Sequence, residues 1–145
     1  MVKRCRRIGF SIIAVLFLSG PAAAEGEPNH YVCTFDQGAT WSYDAGNFKS
    51  EPPAPLSFEI SNIDLDKQTA TLIVADKQNA NLKIVRALNA NHFLEVANEG
   101  FLNLTTIYDA DPGTAAHPAV HSRHFGILGQ PVFAHYGGAR TAKSA

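Results

Sequence analysis

The chain has 145 residues and a formal net charge of −1, with four of its twelve basic residues inside residues 1–24 and all thirteen acidic ones beyond. Residues 25–145 therefore carry a balance of −5, which argues against a nucleic-acid partner, whose surface wants a basic stripe. They are long enough for one domain with a core of its own.

Residues 1–24 have the layout of a secretory signal. Lys3, Arg4, Arg6 and Arg7 precede an apolar stretch from Ile8 to Ser19, and Ala22, Ala23 and Ala24 supply the small residues of a cleavage site. The stretch is shorter than the roughly 20 apolar residues of a membrane span. The expectation is a periplasmic or secreted single domain, residues 25–145, that is not membrane-embedded. Cys5 leaves with the signal, so Cys33 remains alone and cannot pair within the chain. In Tyr31-Val32-Cys33-Thr34-Phe35 it reads as a small buried residue on a strand, sharing a face with residues 31 and 35, with an intermolecular disulfide or a reactive thiol as the alternatives.

No amphipathic helix follows. Runs of β-formers bounded by Asn, Asp, Gly and Pro recur at 30–36, 39–43, 56–63, 69–75, 81–88, 92–97, 101–108, about 119–125 and about 132–136. Residues 50–55 and 109–118 read as long connections, and the tail from Gly137 reads as frayed. Turns at 64–68, 76–80, 89–91 and 98–100 set Ile60 opposite Leu72, Leu72 opposite Ile84, Ile84 opposite Val96, and Val96 opposite Leu102. These four registers agree in parity. They build one apolar face from even-numbered positions between 56 and 108, including Leu56, Phe58, Ile60, Leu82, Leu94 and Leu104. The prediction is all-β: a small antiparallel up-and-down barrel of about eight strands, with a two-sheet β-sandwich as the alternative.

Arg86, His92, Asn62 and Thr106 interrupt that face. A buried guanidinium needs a partner. One reading makes Arg86 the plug of a barrel end, stacked on Trp41. The other makes a cavity mouth where Arg86, His92 and Thr106, with Arg123 and His124 nearby, hold the acidic group of a partly apolar small molecule. On the opposite face, Phe93 and Phe101 suggest a patch for another exported protein.

The segment His117-Pro118-Ala119-Val120-His121-Ser122-Arg123-His124 concentrates three of the six histidines. As a strand it points His121 and His124 to opposite faces, and it holds His117 and His121 about 13 Å apart, so it cannot chelate alone. A helical turn, or a hairpin bringing His135 beside His124, would permit a zinc or copper site from His121, His124 and His135. Ser122 beside histidines does not make a nucleophile and base. No nucleophile elbow, zinc-protease helix, phosphate loop or dinucleotide fingerprint is present, so no catalytic residue is assigned and a non-enzymatic role is expected.

The layout resembles small exported bacterial β-barrel proteins of unknown function. Tyr31 to Gly38, "YVCTFDQG", is similar to the first strand of periplasmic inhibitors of C-type lysozyme, which implies an eight-stranded barrel. The inhibitory loop of that family has no counterpart here, and Cys33 has no second cysteine to pair with. Three expectations follow: a barrel binding a small, partly apolar and anionic ligand, a protein–protein module such as a hydrolase inhibitor, or a metal-binding protein.

Overall fold

The computed structural model describes residues 28–97, 101–127 and 130–142. The expected signal, the 98–100 loop with Gly100, and Gly129 of the 126–131 turn lie outside these residues. Nine strands follow one another: β1 (Tyr31–Asp44), β2 (Asn47–Glu51), β3 (Leu56–Asp64), β4 (Thr69–Val74), β5 (Lys77–Arg86), β6 (Ala90–Ala97), β7 (Phe101–Tyr108), β8 (His117–Ile127) and β9 (Gln130–Ala142). Every pairing is antiparallel, and β9 returns to β1 to close an eight-stranded barrel of β1 and β3–β9. The predicted barrel is the observed fold. Among the described residues no helix is long and apolar enough to cross a membrane.

β2 is the extra strand, and the sequence reading missed it inside a connection. It pairs with the far half of β1, Thr40–Asp44, while β3 pairs with the near half, Tyr31–Phe35. Pro52, Pro53 and Pro55 lie between, where prolines cannot donate to a ladder. β1 bulges at the same level, between Phe35 and Gln37. The end of the barrel carrying β2 is called upper below, and the end where Tyr31 meets Ala142 is called lower.

Alternation fills the interior. Tyr31, Cys33, Phe35, Phe58, Ile60, Leu72, Leu82, Ile84, Phe93, Ile107 and Tyr136 form one buried cluster, each large apolar side chain contributing about 1.5–3 kcal/mol. Residues 31, 33 and 35 share the inner face, as their spacing predicted.

The even-face prediction holds only as far as β5. Ile60 pairs with Leu72 as expected. The β4–β5 register slips by four, to Leu72 opposite Ala80, through a two-residue turn with Ala75 and Asp76 at positive φ. An even slip keeps the faces. The β5–β6 register slips by three, setting Ile84 opposite Phe93 instead of Val96, and an odd slip exchanges them. The β6–β7 register is the one predicted, with Val96 opposite Leu102, so β7 inherits the inversion. Phe93, Glu95, Thr105 and Ile107 consequently point inward, while Val96 is 74% exposed.

Candidate functional site

Inside the upper half of the barrel lies a cavity of about 330 Å³, at the small end of the range for ligand sites. Its two walls differ in chemistry. Leu56 and Phe58 of β3, Leu72 and Val74 of β4, and Leu82 of β5 make a mainly apolar wall, with the exposed Asn79 of β5 at its rim. Glu95, Asn103, Thr105, His121 and Arg123, from β6, β7 and β8, make a polar one, with Phe93 and Phe101 set among them.

The polar wall follows from strand register. Glu95 is opposite Asn103, which is opposite Arg123, and one row lower Phe93, Thr105 and His121 stand in line. Asn103 Nδ2 donates to Glu95 Oε2 at 2.7 Å. Glu95 is 7% exposed, yet no lysine, arginine or histidine of the described residues forms an ion pair with it. The Arg123 guanidinium lies 5.7 Å from the Phe125 ring centre. Asn103 Oδ1 is buried and accepts no hydrogen bond.

His121 is the cavity floor. Its Nδ1 is 2.8 Å from Thr105 Oγ1, and its ring packs against Phe58, Phe35 and Tyr136 with centroids 5.1, 5.6 and 5.8 Å away. Burial pushes its pKa down to about 3, with the positive charges of Arg123 and Arg140 acting in the same direction. The imidazole is neutral at physiological pH.

Beneath this aromatic floor lies Arg140, only 2% exposed. Its guanidinium is held between Phe35 and Tyr31, 5.6 and 5.8 Å from their centres. None of its three nitrogens has a hydrogen-bond partner. Cys33 is directly opposite, and burial raises its thiol to about 11 despite the guanidinium.

The expected mouth of Arg86, His92, Thr106, Arg123 and His124 is not assembled. Arg86 lies at the lower rim, opposite Asn91 and exposed, far along the barrel from Arg123. It does not stack on Trp41, which is on the outer wall against Phe133. Inversion after β5 puts His92 and Thr106 on the outer wall, bonded to each other at 2.9 Å. Asn62 sits in a bulge at positive φ and is exposed. Of the five, only Arg123 lines the cavity.

The three histidines of the metal expectation are not brought to one point. The histidine segment is strand β8, so His121 points inward and His124 outward, as strand geometry required. The β8–β9 hairpin does bring His135 near His124, ring centroids 5.9 Å apart. His121 is on the other side of the sheet. Among the described residues no group of three or more His, Cys, Asp or Glu side chains could hold a metal ion.

Phe93 and Phe101 do not form one exposed partner patch either, since both line the cavity and Phe93 is buried, while Phe101 is 42% exposed at the cavity rim. The outer wall carries a different one. Val96, Leu102, His124, Phe133 and Trp41 are successive cross-strand neighbours over five strands. Tyr43 and Phe48 extend this row, and Phe48 is 56% exposed.

Sequence reasoning missed Glu95, Asn103 and Thr105. Their alternation with Phe93, Phe101 and Ile107 was a second legible face, set aside because the leucines lie on the other. No protein-family model, curated protein or solved structure matches the chain.

Proposed function

We propose that the protein is an exported, non-enzymatic binding protein whose barrel holds a small, partly apolar molecule carrying an acidic group. The observation that carries this reading is the 330 Å³ cavity with Arg123 on one wall and Phe58, Val74 and three leucines on the other. A half-buried guanidinium lining a cavity without a carboxylate partner favours an anionic group there. The apolar wall favours a hydrocarbon or aromatic body on the same molecule. Native mass spectrometry of the purified protein tests it. A retained organic molecule is expected, and Arg123→Gln should weaken its rebinding about tenfold or more. A protein that retains nothing and binds no small apolar acid contradicts the reading.

A second reading, a protein–protein module such as a hydrolase inhibitor, is supported by the outer row of Trp41, Phe133, His124, Leu102 and Val96, since aromatic residues are enriched at interfaces. Capture of lysozyme-type hydrolases by the wild type, lost in Trp41→Ala, is the expected result. Equal capture by the mutant contradicts it.

A further inference from the structure

The polar wall holds two opposite charges that do not touch. Glu95 and Arg123 both line the cavity, and each is the cross-strand neighbour of Asn103. Such charges attract more strongly in a partly enclosed cavity than in open water, and a purely structural pair would close on itself. Here Glu95 receives one hydrogen bond, from Asn103, although a carboxylate offers about four acceptor positions. Asn103 Oδ1 is a second buried acceptor with no donor. On one side, then, two buried acceptor groups are short of donors. On the other, Arg123 presents donors without an anion.

We infer that the ligand is dipolar: an ammonium for Glu95 and Asn103 Oδ1, beside a carboxylate for Arg123, on an apolar body, which is the chemistry of an apolar α-amino acid. This rests on the cavity being a binding site, as proposed above. Spacing agrees. Two strand intervals of about 4.8 Å put the Glu95 and Arg123 backbones roughly 10 Å apart. An α-ammonium and α-carboxylate, each with a hydrogen bond of about 2.8 Å, bridge roughly 8 Å between side-chain atoms. A simple carboxylic acid would satisfy Arg123 but leave Asn103 Oδ1 without a donor and set its charge near Glu95. A simple amine would satisfy Glu95 and place a cation beside Arg123. The zwitterion alone answers both halves and adds no net charge. His121, neutral below them, adds no third charge.

Isothermal titration of the full chain with three probes sharing one body provides the test: L-phenylalanine, 3-phenylpropanoate and phenethylamine. A second series uses L-leucine, 4-methylpentanoate and 3-methylbutylamine, so that body size does not decide the outcome. The amino acid of at least one series should bind at least tenfold tighter than its acid and its amine. Glu95→Gln, which keeps the bond from Asn103, should weaken the amino acid about tenfold while leaving the acid unchanged or stronger. An acid binding as tightly as its amino acid overturns the dipolar ligand and leaves the cavity reading standing. An amine binding as tightly overturns the dipolar ligand and the role given to Arg123. Binding of no probe overturns the inference, while the cavity reading still stands or falls on the retained molecule. Equal weakening of acid and amino acid in Glu95→Gln also counts against it, because that is how a merely structural residue behaves.

Discussion

His121 carries the clearest residue-scale consequence. Its folded pKa of about 3 lies far below the ordinary value of 6.5 because burial disfavours the imidazolium. From pH 6.5 downward the unfolded chain takes up a proton that the folded chain refuses until about pH 3. Stability associated with His121 is therefore complete above pH 6.5 and is lost as pH falls toward 3, at up to about 1.4 kcal/mol per unit. His121→Asn retains a group able to bond Thr105 but cannot titrate. Its urea midpoint should fall less between pH 7 and pH 5 than that of the wild type. Parallel declines in the two proteins would show that other groups set the acid sensitivity. The same histidine was singled out in the sequence as one of a dense group, and its true surroundings were hidden there. Phe35, Phe58 and Tyr136 arrive from three other strands.

At the scale of elements, the seam between β1 and β9 depends on two glycines for close approach. A Cβ at Gly38 would lie 2.0 Å from the His135 carbonyl oxygen, and one at Gly138 would lie 2.2 Å from that of Thr34. Gly138→Ala should cost about 2–4 kcal/mol, read as a drop in thermal midpoint. Gly126→Ala, where a Cβ meets nothing within 4 Å, is the control and should change it little. If both substitutions behave alike, the seam is not the tight contact described. The Gly137-Gly138 pair explains why the tail was read as frayed: glycine weakens the strand signal at the very place where the backbones must pass closely. Elsewhere the elements were legible, β7 to the residue and the β6–β7 register with it. The β5–β6 connection was not. "LNAN" offers more than one turn position, and a three-residue difference there inverts every side chain of two strands. Arg123 was named in the sequence only as a neighbour of the expected mouth, together with His124 of opposite parity, and its place in the cavity comes from the fold. Glu95 and Asn103 were not named, because their strand parity passes through that turn.

For the whole molecule, Cys33 serves as a reporter. It is fully buried, paired between β3 and β9, and its thiol is raised to about 11. At pH 8 about one thiol in a thousand is ionised, so modification of the native state is suppressed by chemistry as well as by access. Labelling by an aromatic disulfide reagent should proceed only through opening of the whole barrel. Its rate should rise with urea in step with the unfolding rate. Labelling that is fast in native buffer and indifferent to urea would mean that the seam opens locally.

That seam also sets an order of events. Each hairpin of the meander joins neighbours in sequence, but Tyr31 pairs with Ala142, so closure links the two ends of the described chain. Gathering a loop of roughly a hundred residues costs about 2 kcal/mol more in chain entropy than gathering one of ten. Barrel closure is therefore the slow, late step of folding. A chain that has formed its hairpins without this closure would present an unsatisfied strand at each edge.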